Sequence, residues 1–153
     1  MWKLLAAIGL LITGITVTTV SKARGIRNNN PGNIRYSAGT EWIGQTGQDP
    51  AGFVVFDTPE HGIRAITKVL RTYYYTHGIT TISGMIYRYA PPSENDTLAY
   101  VQDIARHGIA TGVPMTSETF ERVLPELIQA IINHENGSQP YTVAQINNGI
   151  SLA

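Results

Sequence analysis

The chain has 153 residues, room for one ordinary domain and a tail but not for two full domains. Its 11 basic and 11 acidic residues balance, which removes the case for a basic face that binds nucleic acid. It has no cysteine, so disulfides and thiolate metal sites are excluded. The four histidines, His61, His77, His107 and His134, show no i,i+4 pairing, and neither a metal nor a cofactor is expected.

Residues 4–20 carry no charge and are flanked by Lys3 on one side and Lys22, Arg24 and Arg27 on the other. As a helix these residues would rise about 25 Å, the short end of a membrane crossing. The expectation is an N-terminal transmembrane anchor over residues 1–24, followed by a domain over residues 25–153. A cleaved secretory signal, with Ser21-Lys22-Ala23 at its end, is the competing reading.

Residues 25–58 are rich in Gly, Asn, Thr and Pro. Asn30-Pro31-Gly32-Asn33 is a turn signal. Residues 33–36, 41–43 and 53–56 are candidate short strands, together a small irregular sheet. Thr58-Pro59-Glu60 then opens the clearest helix. Asp57 or Thr58 caps it, and Ile63, Ile66, Val69, Leu70 and Tyr73 form its buried stripe. Tyr73-Tyr74-Tyr75 puts aromatics round its last turn, so one of them must face a cleft or solvent. A short helix is expected over residues 81–89, ended by Ala90-Pro91-Pro92. A polar loop, Ser93 to Thr97, leads into a helix over residues 97–106, with Asp96 as cap and Gly108 as stop.

The final long helix starts at Thr116 or Ser117, and Pro125 should kink or restart it. Leu124, Leu127, Ile128, Ile131 and Ile132 give it an apolar stripe. Glu135 falls just before Gly137, at the negative end of the helix macrodipole, where an acid does not favour the helix. A last short helix follows Pro140-Tyr141-Thr142.

The run Ala130-Ile131-Ile132-Asn133-His134-Glu135-Asn136-Gly137 resembles the catalytic helix end of lytic transglycosylases. Asn29-Asn30-Pro31-Gly32-Asn33-Ile34-Arg35, with Trp42, Gly44 and residues 53–56, is similar to a block in bacterial cell-wall N-acetylglucosaminidases. There the block follows the catalytic helix, whereas here it precedes it. The resemblance therefore implies a mainly α (α+β), lysozyme-like helical domain with a small sheet, circularly permuted, plus the N-terminal transmembrane helix. Residues 25–150 also resemble phage and prophage proteins described as virion structural proteins, through Gly25 to Arg35, Ala90 to Thr97, and His134-Glu135-Asn136-Gly137.

These resemblances imply a membrane-anchored, phage-type enzyme that cleaves the bond between N-acetylmuramic acid and N-acetylglucosamine. Glu135 would be the general acid. Glu94, or less directly Asp49, would be the second carboxylate that a hydrolase needs. Asn29, Asn30, Asn33, Arg35, Tyr100 and Tyr73 would hold the sugar. The implied partners are peptidoglycan glycan strands, a membrane and other virion proteins. The implied location is a virion's internal membrane or the bacterial inner membrane facing the periplasm. The alternative is a non-enzymatic minor virion membrane protein that keeps the lysozyme-like shape. A stem-peptide peptidase lacks any nucleophile–base motif.

Overall fold

The computed structural model describes residues 22–153. The chain enters through a single helical turn, α1 (Arg24–Arg27), that the sequence did not announce. A tight loop follows, in which Asn29 and Asn33 take left-handed backbone angles (φ 50° and 48°). Asparagine tolerates that region better than most residues, which accounts for its density here. Asn30, between them, is fully buried. Its side-chain amide donates to the Ile34 and Val54 carbonyls, and its side-chain oxygen accepts from the Ile34 amide. A buried polar group with all of these bonds made pins the loop to the sheet instead of destabilising it.

The sheet is a two-stranded antiparallel ribbon, β1 (Gln45–Gln48) and β2 (Val54–Phe56), with a bulge between Gln45 and Gly47. Arg35 adds one isolated bridge to Phe53. Of the three expected strands only the last forms. Residues 41–43 lie in a turn, and the pairing falls to Gln45–Gln48 instead. Hydrophobic composition misplaced this strand, because β1 is polar and largely exposed. Val54 and Phe56 point inward and pack on Ala65 of the following helix.

That helix, α2 (Pro59–Arg71), is capped by the Thr58 hydroxyl, which accepts from the His61 amide. It runs directly into a π-helical turn, Thr72–Thr76. π-turns insert one residue per turn and re-aim side chains, often at functional sites. Here the turn distributes three consecutive tyrosines. Tyr73 faces a cleft, Tyr74 stacks on Phe120 with centroids 4.5 Å apart, and the Tyr75 hydroxyl donates to Glu121. Helices α3 (Ile82–Tyr89), α4 (Thr97–Arg106), α5 (Ser117–Asn136) and α6 (Val143–Ser151) complete the domain, capped by Thr81, Asp96, Thr116 and Thr142. The main core is made where α2 to α6 meet, around Ile66, Leu70, Met85, Ile104, Leu124, Leu127, Ile128 and Ile131. Gly149 of α6 seats directly on Ile63 of α2 and leaves no room for a Cβ.

Helix α5 is continuous through Pro125. The Gln129 side chain donates to the Pro125 carbonyl, inside the same stretch. Gly137 stops the helix in the left-handed conformation (φ 68°).

The expected fold class requires correction. The described residues form a mostly helical domain with a two-stranded sheet, and none of their helices is long and apolar enough to cross a membrane. The longest, α5, has 20 residues but carries Glu118, Glu121, Arg122, Glu126 and Glu135, charges that no bilayer core accepts cheaply. The expected transmembrane helix falls on residues 4–20, outside the described residues. The lysozyme-like, permuted architecture with a membrane helix is therefore not retained as the description of this fold.

Candidate functional site

The last turn of α5 and the asparagine loop meet, although 102 residues separate Asn33 from Glu135. The Asn33 side-chain amide donates to Glu135 Oε2 at 2.9 Å. The Tyr100 hydroxyl, from α4, donates to Glu135 Oε1 at 2.9 Å. Each carboxylate oxygen thus has a donor from a different segment. Asn136 completes the junction, because its side-chain amide donates to the Pro31 carbonyl at 2.8 Å and to the Ile132 carbonyl at 2.9 Å. Gly25 lies against this knot, and a Cβ there would stand 2.4 Å from Asn136 Oδ1.

Glu135 lines a cleft of about 430 Å³. Its lining combines Gly32, Asn33, Ile34 and Arg35 of the asparagine loop, Val69 and Tyr73 from α2 and the π-turn, Tyr89 and Ala90 from the end of α3, Glu94 and Asn95 of the polar loop, and Arg24 and Phe53. Past Tyr73 and Val69 the surface continues into a second depression of about 390 Å³, lined also by Trp42, Lys68 and Thr72.

Two phenols attend the acid. Burial pushes the Tyr100 hydroxyl well above its ordinary range, and the Glu135 charge pushes the same way. Tyr89 is raised by the same two causes in the same order, and its hydroxyl donates to the Gly32 carbonyl. Both phenols therefore stay protonated at neutral pH and serve as donors. Behind Tyr100 the His134 ring stacks at 3.6 Å between centroids, and His134 Nδ1 is 2.8 Å from Asp103 Oδ2. Asp103 is held below the usual carboxylate range, first by the hydrogen bond from His134 and then by Arg106, against the opposing effect of burial.

Of the residues expected from sequence, Glu135, Asn33, Arg35, Tyr73 and Glu94 all line the cleft. Tyr100 does not line it: the residue is 1% exposed, and its hydroxyl bonds Glu135 from the buried side. Glu94 is exposed, and its carboxylate stands 4.0 Å from the Arg35 guanidinium. Asn29 and Asn30 do not line the cleft. Asn29 donates to the Phe56 and Asp57 carbonyls at 3.1 Å, and Asn30 is consumed by the loop and sheet. Their amides are spent on the backbone carbonyls of Ile34, Val54, Phe56 and Asp57, which ties the loop to β2 and the start of α2. Asp49 accepts from the Ala51 and Phe53 amides and from the Asn28 side chain, and is likewise spent on a turn. Sequence reasoning gave no site role to Tyr89, Phe53, Arg24 or the His134–Asp103 pair. Phe53 and His134 carried a signal only as members of the motifs that bear the resemblances. Among the described residues no group of three His, Cys, Asp or Glu side chains is placed to hold a metal ion.

No family model matches the chain. Among curated proteins it is similar to Protein P5 of Pseudoalteromonas phage PM2, 44% identical over 131 residues, which cover 83% of this chain and 79% of that protein.

Proposed function

The chain belongs to the family of that phage protein, and from this premise we propose that it is a virion-associated protein whose cleft receives a peptidoglycan glycan strand and cleaves it in the manner of a lytic transglycosylase. The observation that carries the reading is that Glu135 and Asn33 line a cleft of about 430 Å³, with the Glu135 carboxylate held by Asn33 and by the buried Tyr100 hydroxyl. In this reading protonated Glu135 gives its proton to the glycosidic oxygen between N-acetylmuramic acid and N-acetylglucosamine, and that bond breaks. The C6 hydroxyl of the muramic unit then attacks its own C1, and its proton returns to the Glu135 carboxylate. The product is a 1,6-anhydro ring, and no water is consumed. One carboxylate suffices, which suits a cleft whose only other acid, Glu94, is exposed at the rim beside Arg35. Asn33 and Tyr100 fix the carboxylate so that no rotamer search precedes proton transfer.

Purified full-length chain is incubated with peptidoglycan, and the soluble fragments are weighed by mass spectrometry. Anhydro ends are expected, whereas reducing ends mean a hydrolase. Replacing Glu135 by Gln keeps size and hydrogen bonding but removes the transferable proton. Release should fall at least about 10²-fold, the lower figure for general acid–base action. Near-normal release by the variant would remove Glu135 from the mechanism.

A second reading is favoured by the completeness of the Glu135 junction. Both carboxylate oxygens are already bonded inside the protein and tie the asparagine loop, α4 and α5 together, as a purely structural lock would. The chain would then be a non-enzymatic structural protein of the virion. That reading expects no fragments from the wild-type chain and a loss of stability in Glu135→Gln.

A further inference from the structure

The lining of the cleft includes two cations on one aromatic ring. The Arg24 guanidinium carbon lies 4.0 Å from the Phe53 ring centroid, and that of Arg35 lies 4.8 Å from it. The ring's negative faces attract both. Among the described residues neither guanidinium donates a hydrogen bond to the protein. Arg35 stands 4.0 Å from the Glu94 carboxylate, beyond hydrogen-bond reach, in a pair exposed on both sides. The other nearby acid, Asp49, has its oxygens taken by the Ala51 and Phe53 amides and Asn28. Two like charges with unspent planar donor sets have therefore been brought to the lining of the groove that also holds Glu135. A guanidinium fork matches a carboxylate in shape and charge.

We propose that Arg24 and Arg35, mounted on Phe53, form a subsite that binds a carboxylate substituent carried by the glycan. The inference rests on the glycan reading and adds what the enzyme recognises. A neutral chitin-type chain has no such group. A muramic unit has one, either the free lactyl carboxylate or, where a peptide is attached, the carboxylates of that peptide. Two arginines on a chain with no net charge do not suit a polyanion, whose affinity comes from many simultaneous phosphate contacts.

The test uses full-length chain carrying Glu135→Gln, so that nothing is cleaved, and follows the arginine side-chain N–H resonances by NMR. N-acetylmuramic acid should shift Arg24 and Arg35, and N-acetylglucosamine should not. Calorimetry then compares chitohexaose with glycan strands that carry or lack peptide. The carboxylate-bearing strands should bind more tightly, and the peptide-free and peptide-bearing arms tell which carboxylate is read. Arg24→Gln with Arg35→Gln should weaken binding of the preferred strand about tenfold, the order expected for losing a charge-assisted bidentate contact, and abolish its advantage over chitohexaose. The proposal is overturned if the double variant keeps that advantage. It is also overturned if no sugar acid moves the arginines, or if inorganic phosphate or a short DNA moves them as strongly. Carboxylate-dependent binding without any cleavage by the wild-type chain would leave the subsite standing and remove the catalytic reading alone.

Discussion

Gly25 is the position at which a single methyl group tests how tightly the fold and the site are coupled. A Cβ there would stand 2.4 Å from Asn136 Oδ1, 2.8 Å from the Asn30 carbonyl oxygen and 3.1 Å from Asn33 Oδ1. None of the three yields readily. Asn136 is held by two hydrogen bonds, the Asn30 carbonyl accepts from the Asn33 amide, and Asn33 is bonded to Glu135. Overpacking of this kind costs about 1–3 kcal/mol. Loss of the Asn136–Pro31 bond would add about 1 kcal/mol, and alanine's better helix propensity would offset about the same amount. Gly25→Ala should therefore lose about 1–3 kcal/mol, or roughly 2–12 °C in Tm for a domain of this size. Gly112→Ala is the control, since its Cβ would meet nothing within 4 Å. Calorimetric melting of both variants checks the argument. If Gly25→Ala melts with Gly112→Ala, α1 is not wedged against the Glu135 junction. Under the enzymatic reading Gly25→Ala also loses peptidoglycan release, because Asn33 cannot move without moving its hydrogen bond to Glu135.

Three further outcomes are expected. Tyr141 is pushed up to about 12, chiefly by burial and then by the Glu60 charge, and its hydroxyl has no hydrogen-bond partner among the described residues. Its folded value lies above the ordinary one near 10, so the stability it contributes is full below about pH 10 and is lost as pH rises towards 12. Urea midpoints measured between pH 9 and 11.5 should fall less steeply in Tyr141→Phe, and an unchanged slope would count against this. Asp103 is displaced the opposite way, so its contribution is present above about pH 3.9 and is lost as pH falls through its lowered folded value. Asp103→Asn should flatten the acid limb of the denaturation curve, with no change there refuting the assignment. Thr142 caps α6 in a reciprocal box with Gln145. Thr142→Ala should cost about 1 kcal/mol by urea titration, and a neutral result would mean that the packing of Ile146 in the core and of Gly149 on Ile63 holds α6 without its cap.

The caps, the apolar stripes and the stops were legible in the chain because they are local. Thr58-Pro59-Glu60, Asp96 before Thr97, and Gly137 after Asn136 each satisfy backbone groups within one turn of themselves. The stripe from Leu124 to Ile132 needed only helical spacing, and all five of its residues are fully buried. What the sequence could not decide was which polar groups remain for a ligand. Asn29, Asn30 and Asn33 are the same residue type within five positions, yet two bond to backbone carbonyls and only Asn33 reaches Glu135. The three tyrosines after Arg71 are likewise indistinguishable in sequence, and a π-turn sends each to a different neighbour. β1 went unread because a largely exposed polar strand pairs through its backbone, which leaves no side-chain pattern. A hydrogen bond across 102 residues depends on the path of everything between them, and only the packed chain fixes that path.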